Sequence, residues 1–229
     1  MATFVLVHGA WRGGWIWRRV AHTLRAGGHA VYAPTLSGLG ERSHLSSERI
    51  SLTTHVMDVV NEVIWKDLSN IVLCGHSYGG MVITAALEHI FERVSSAVYL
   101  DAFFPEDGQS LYDLTGEPYP PAPQMVAPIP AEVFNVNLAD RAWVNAKATP
   151  QCSACFTQKV SLTGARERVP RKTYVLAGSF SFPPFRAAYE RQSQDPGWNT
   201  QIIQGGHDVM LDNPQELAEM LIDAASMAT

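Results

Sequence analysis

Two residues in this chain stand out as able to do chemistry, Ser77 and His207, and each sits in a short glycine-flanked segment. Ser77 is the centre of Gly75-His76-Ser77-Tyr78-Gly79, which follows the apolar run Ile71-Val72-Leu73-Cys74 and opens a second run, Gly80-Met81-Val82-Ile83-Thr84-Ala85-Ala86. A bare GxSxG says little, since this composition produces one by chance in roughly one chain in ten. At a strand-to-helix junction it becomes a nucleophile elbow. The glycines admit a sharp turn, the hydroxyl stands at a helix head, and the helix N-terminus favours negative charge developing beside it. A serine at its ordinary pKa is a weak nucleophile and needs a base that titrates near neutrality, which is the property of histidine.

Eight histidines are available. His22, His29, His44, His55 and His89 fall in helical or loop stretches and read as surface or capping residues. His76 adjoins the serine and should turn to the opposite side of the elbow, while His8 ends the first apolar run. His207 stands apart in Gly205-Gly206-His207-Asp208, between the last strand candidate and the final helix, where a glycine-rich loop can swing the imidazole over the elbow. Acyl transfer also needs N–H donors for an oxyanion, one from the residue after the nucleophile and one from the loop after an early strand. Tyr78 supplies the first, and His8-Gly9-Ala10-Trp11 supplies the second through the Ala10 N–H.

The elements that must position these groups follow an alternating pattern. Short runs rich in Val, Ile, Leu and Tyr at 4–8, 30–33, 71–75, 97–101, 173–177 and 200–203 read as strands. Helical patterns lie between and after them at about 16–26, 53–65, 79–89, 184–192 and 214–227, which is the signature of a mainly parallel sheet covered on both faces. The stretch 105–170 breaks the alternation and holds nine of the fourteen prolines. Its aromatic and apolar residues (Tyr112, Tyr119, Phe134, Trp143, Phe156) argue for a packed insertion, a cap over the C-terminal edge of the sheet, where open α/β sheets bind ligands. The core is then 1–104 with 171–229, and the 229 residues make one domain with that insertion.

Composition narrows the function classes. The 46% hydrophobic and 17% charged residues argue against disorder and coiled coil, and a net charge of −5 without a basic cluster makes nucleic acid a poor partner. No apolar stretch approaches the ~20 residues of a membrane span, and the N-terminus lacks a basic n-region, so a cytoplasmic location is expected. Three cysteines argue against a disulfide framework. Cys152-Ser153-Ala154-Cys155 has redox or half-zinc spacing, but no second pair follows it and it does not open a helix after a strand, so both read as ordinary thiols.

The segments His8-Gly9-Ala10-Trp11 with Gly14-Trp15, Gly38-Leu39-Gly40, Gly75-His76-Ser77-Tyr78-Gly79-Gly80-Met81 and Gly206-His207-Asp208 resemble the small α/β-hydrolases related to plant methyl-ester esterases and hydroxynitrile lyases, in a bacterial esterase branch. The likeness runs nearly end to end, with only the cap weakly patterned. It implies an α/β-hydrolase fold with a six-stranded sheet, lacking two N-terminal strands of larger relatives. It also implies a Ser–His–acid triad, a lid-covered pocket and neither metal nor organic cofactor.

The chain departs from that family at the acid. In most relatives the carboxylate follows the strand before the histidine strand, but here Gly178-Ser179-Phe180-Ser181-Phe182-Pro183-Pro184 holds none. Either the acid is missing or it comes from the strand after the elbow, Ala97-Val98-Tyr99-Leu100-Asp101. A carboxylate between Leu100 and Ala102-Phe103-Phe104 is costly to bury unless paired, and His207 would pair it. Asp101 is favoured over Glu106 and Asp107, which read as solvated, and Asp208 is too close in sequence to reach its neighbour's ring. The leading reading is a serine carboxylesterase, monomeric or homodimeric, forming an acyl-enzyme on Ser77 from small esters with hydrophobic or aromatic groups. Trp11, Trp15, Phe103, Phe104 and the cap aromatics would supply an apolar pocket. The alternatives are a hydroxynitrile lyase-type enzyme, which the resemblance gives a lysine and a threonine where this chain has Asp208 and Gly9-Ala10, and a small-molecule receptor.

Overall fold

Strands covered on both faces read as nearly continuous apolar runs, because neither side of the pleat meets water. A computed structural model describes residues 1–226 and shows this arrangement. The chain runs β1 (Thr3–Val7), α1 (Arg18–Ala26), β2 (Ala30–Tyr32), α2 (Leu52–Ile64), β3 (Ile71–His76), α3 (Gly79–Ile90) and β4 (Val94–Leu100). Within 105–170 come α4 (Leu111–Thr115), β5 (Met125–Val126), α5 (Leu138–Lys147), β6 (Gln151–Cys152) and α6 (Ala154–Thr157). The chain then returns through β7 (Arg171–Ala177), α7 (Pro183–Ser193), β8 (Asn199–Ile203), α8 (Val209–Asp212) and α9 (Pro214–Ser226). The helical pattern of the sequence extends to Met227, which lies outside the described residues.

The main sheet has the order β2-β1-β3-β4-β7-β8, and every pairing in it is parallel. Side chains alternate strictly between two cores. Val5, Val7, Leu73, Ala97, Tyr99 and Tyr174 face the side packed by α2 and α3. Phe4, Leu6, Val72, Cys74, Val98 and Val175 face the side packed by α1 and α9. Because every pairing is parallel, the C-terminal ends of β1, β3, β4, β7 and β8 lie at one edge of the sheet.

The stretch 105–170 has little regular structure of its own, a two-residue β5–β6 pairing and short helices. It is tied to the sheet edge by specific contacts: the Trp11 N–H donates to Gln151 Oε1 at 2.9 Å, and the His207 N–H donates to the Phe134 carbonyl at 2.9 Å. The Cys152/Cys155 reading needs correction, because this pair does bridge a strand and a helix, β6 and α6, although each is very short. Both thiols are buried and unbridged, and burial pushes Cys155 up to about 12.

Candidate active site

The turn between β3 and α3 is built around an unfavourable backbone. Ser77 has φ +54°, a left-handed conformation that costs an L-residue on the order of 1–3 kcal/mol unless its surroundings fix it. Here they do: the Ser77 N–H donates to the Leu100 carbonyl (3.2 Å), and its own carbonyl accepts the N–H groups of Gly80 (2.9 Å) and Phe103 (3.1 Å). Glycine is required at two neighbouring positions. A Cβ on Gly79 would sit 2.7 Å from the Val7 carbonyl oxygen, and one on Gly80 would sit 2.1 Å from that of Phe103. Helix α3 is therefore pressed against the ends of β1 and β4, with its first turn behind Ser77.

Asp101 also takes a left-handed conformation, φ +42°, directly after β4. Its N–H donates to the Val175 carbonyl (2.7 Å), which anchors the turn on β7. The carboxylate is fully buried and uses both oxygens. Oδ1 accepts the Ala177 N–H at 3.1 Å, and Oδ2 lies 2.6 Å from His207 Nδ1. A buried carboxylate has to be satisfied in this way. With Nδ1–H as the donor to Asp101, the free lone pair of His207 is on Nε2.

His207 is 3% exposed and held from several sides. Its backbone carbonyl lies 2.9 Å from His76 Nε2, which donates to it, and the His76 ring is 4.4 Å from the His207 ring. Phe180 (4.8 Å), Phe134 (5.1 Å) and Phe185 (5.3 Å, stacked) enclose the imidazole. Ser77, Ala10 and His207 line one cavity of about 430 Å³. Tyr78 does not line it: its side chain is buried, and its hydroxyl donates to His55 Nδ1 at 2.9 Å, so only its backbone is in question at the site.

The cavity wall differs from the sequence reading. Trp11 and Phe103 line it, but Trp15 packs edge-on against Trp143 at 4.9 Å and Phe104 packs against Trp198 at 5.2 Å. Phe180, Phe182 and Phe185 take their place. These come from the segment after β7 that lacks the expected acid, so that segment contributes aromatic surface in place of charge. Its run Phe180-Ser181-Phe182-Pro183-Pro184-Phe185, directly after a buried strand, was the available signal.

Three further histidines are buried without being surface or capping residues. His55, read as such, donates from Nε2 to the Ser37 carbonyl (2.9 Å) while Nδ1 accepts from Tyr78. His8 donates from Nδ1 to the Gly9 carbonyl (2.8 Å) and accepts the Leu36 N–H on Nε2 (3.0 Å). Burial lowers His8 and His76 to about 3 and His55 to about 4, so all three are neutral at pH 7. By contrast His22, His44 and His89 are exposed and His29 is half-buried. Glu106 and Asp107 are exposed, Glu106 meeting Arg191 at 2.7 Å.

Asp208 is the residue whose surroundings the sequence hid. It is 2% exposed, and its Oδ2 accepts from Arg12 Nε (3.2 Å) and Nη2 (3.0 Å), with Arg12 itself 1% exposed. Burial acts to raise the Asp208 carboxyl, yet the Arg12 guanidinium and the neighbouring His76 and His207 hold it below the usual carboxylate range. The pair joins the loop carrying Ala10 to the loop carrying His207.

The chain and its fold have counterparts among known proteins. The chain matches the model of the alpha/beta hydrolase family over residues 4–220. It is 42% identical to a carbendazim hydrolyzing esterase from Nocardioides sp. (strain SG-4G), across 96% of this chain and 98% of that protein. With Methylesterase 1 of Arabidopsis thaliana it shares 31% identity across 64% of this chain and 51% of that protein. An extracellular alpha/beta-hydrolase from a Paenibacillus species, which shares structural and functional homology with tobacco Salicylic Acid Binding Protein 2, superposes with a TM-score of 0.82 at 25% identity, covering 100% of both chains.

Proposed function

Since the chain belongs to the alpha/beta hydrolase family, we propose that it hydrolyses carboxylic esters with Ser77 as nucleophile, His207 as general base and Asp101 as the carboxylate that orients the imidazole. The observation that carries this reading is the 2.6 Å contact between Asp101 Oδ2 and His207 Nδ1, in an imidazole that shares a cavity with Ser77. That contact fixes the tautomer with Nε2 free to take the serine proton.

The steps follow from the groups in place. Ser77 Oγ adds to the ester carbonyl as its proton passes to His207 Nε2, and the Asp101 carboxylate balances the imidazolium that forms. The backbone N–H groups of Ala10 and Tyr78 receive the oxyanion, with Tyr78 at the head of α3 where the helix dipole adds to the effect. Collapse of the intermediate expels the alcohol, which leaves with the proton from His207. Water, deprotonated by the same imidazole, then releases the acid and restores Ser77.

The aromatic wall selects substrates with a hydrophobic or aromatic group, and residues 105–170 serve as the cap that closes the site, anchored by Gln151 on the Trp11 N–H and by Phe134 on the His207 N–H. That the relative from Nocardioides sp. is an esterase supports an ester substrate here. A lyase reading is not favoured: Asp208, which stands where the lyases carry a lysine, is committed to Arg12.

The test is labelling with a fluorophosphonate alongside turnover of aryl and alkyl esters. Labelling confined to Ser77 with ester turnover supports the reading. An unlabelled Ser77, or undiminished turnover by Ser77→Ala, overturns it.

A further inference from the structure

Two cavities meet at Phe103. The first, of about 430 Å³, holds Ser77 and His207; the second, of about 300 Å³, opens between the start of α7 and the segment 106–114. Phe103 lines both. Its ring stands edge-on to Phe185 at 4.8 Å and to Phe182 at 6.1 Å, and the residue is only 7% exposed. The side chain therefore forms part of the wall between the two spaces.

The backbone beneath that ring is fixed by the elbow. The Phe103 N–H donates to the Ser77 carbonyl at 3.1 Å, and its own carbonyl fills the place that a Cβ on Gly80 would need. Shortening the side chain thus opens the wall without shifting the loop that carries it. The outer cavity is floored by Phe104, Leu114, Pro184 and Ala188. Its charged rim is self-compensated, with Arg191 and Glu106 paired at 2.7 Å and Arg191 lying over the Phe104 ring at 5.0 Å. A rim whose charges answer each other calls for no charged ligand, and the floor suits apolar carbon.

Building on the ester-hydrolase reading, we infer that Phe103 is the partition that sets the length of the apolar group accepted at Ser77, and that the outer cavity is a subsite for an unbranched hydrocarbon chain which the ring closes off. Such a chain could belong to the acyl or to the alcohol half of the ester. The experiment has an arm for each.

The measurement is kcat/KM for straight-chain p-nitrophenyl esters from acetate to laurate, and in parallel for acetates of straight-chain alcohols. Phe103→Ala should raise the long-to-short ratio in one of the two arms, by about fourfold for each methylene newly seated. Phe103→Leu, which keeps more of the packing against Phe185, should give a smaller rise in the same arm. Adding Ala187→Trp to Phe103→Ala fills the outer cavity, which Ala187 lines from an exposed position on α7, and should return the ratio to that of the unmodified protein. An unchanged ratio in both arms for both Phe103 variants overturns the partition, and a gain that Ala187→Trp leaves in place overturns the outer cavity as its seat. Acetate turnover by the unmodified protein tests the ester-hydrolase reading separately: its absence fells that reading, whereas its presence beside an unchanged ratio fells the partition alone.

Discussion

Asp101 and His207 lie 106 positions apart in sequence and 2.6 Å apart in space, joined across the end of a strand to which neither belongs. Asp101 follows β4, His207 follows β8, and β7 runs between them, contributing only the Ala177 N–H to the Asp101 carboxylate. The end of β7, where the family resemblance led an acid to be expected, carries none, and the Asp101 carboxylate reaches over it from β4. What the imidazole requires is an acceptor at Nδ1, and either neighbouring strand can deliver it.

If Asp101 fixes the tautomer, its amide replacement should be severe while leaving the fold in place. Asp101→Asn should lower kcat at least about a hundredfold, within the ~10⁴ that the same exchange costs in another serine hydrolase. Ser179→Ala is the control on the position after β7: Ser179 is exposed and its carbonyl accepts from Asn135, so activity should stay within about threefold of the starting value. Steady-state kinetics on one good ester decides the matter, and near-equal effects of the two substitutions would remove Asp101 from the mechanism.

The strain at Ser77 gives a prediction in which activity and stability move in opposite directions. A left-handed φ of +54° suits glycine, so Ser77→Gly should abolish ester turnover and yet raise the unfolding free energy by about 1 kcal/mol over Ser77→Ala. Turnover should fall by as much as ~10⁶ for both. Denaturant unfolding of the two variants measures the difference, and a less stable glycine variant would show that the elbow is not strained.

How far the sequence could be read depended on whether a feature was local. The six strands of the main sheet and the elbow are legible because apolar runs and glycines report backbone needs at their own positions, and each of those six falls within a few residues of its expected bounds, whereas β5 and β6 lie in the stretch for which no strand is expected. The burial of His55 had a signal: it occupies the apolar stripe Leu52, His55, Val56, Val59, Val60, Val63 of α2, at helical spacing. A polar side chain on such a stripe needs buried partners, and Tyr78 and the Ser37 carbonyl supply them. The Arg12–Asp208 pair had none, since 196 residues separate its members and no periodicity relates them. Residues 105–170 were opaque for a related reason, because prolines and short helices there obey the contours of the sheet edge and no repeat of their own.

Three neutral, buried histidines make stability depend on mild acid. His8 and His76 titrate in the folded state at about 3 and His55 at about 4, against ~6.5 in the unfolded chain. Below pH ~6.5 the unfolded chain takes up protons that the folded one refuses, so stability is intact above that pH and is lost as pH falls toward the folded values. With all three contributing, the slope approaches roughly 4 kcal/mol per pH unit near pH 5. Urea midpoints between pH 7.5 and 5 should follow this curve, and His8→Gln should flatten it by about a third. A midpoint constant over that range would show that these rings are protonated in the folded protein.

The buried ion pair between Arg12 and Asp208 supplies the last prediction, because burial makes the two residues energetically inseparable. Each is buried, and among the described residues Arg12 Nη1 has no hydrogen-bond partner, so the hydrogen bonding of the guanidinium, which also lies over the Phe134 ring at 5.3 Å, rests on its two contacts to Asp208 Oδ2. Removing one member leaves the other charged and unpaired in a dry site, at a cost of about 3–5 kcal/mol. Asp208→Asn should therefore destabilise by that amount, as should Arg12→Met, which leaves a carboxylate beside the neutral His76. Replacing both at once, Arg12→Met with Asp208→Leu, removes the stranded charge and should recover most of the loss, since apolar packing can replace a buried pair at little net cost. The double-mutant cycle on unfolding free energy should show a coupling of at least about 2 kcal/mol. Single losses that simply add in the double variant would mean that the two groups do not depend on each other. The loop of His207 would then be held by the hydrogen bonds that its backbone makes to the Phe134 carbonyl and to His76 Nε2, neither of which belongs to the loop of Ala10.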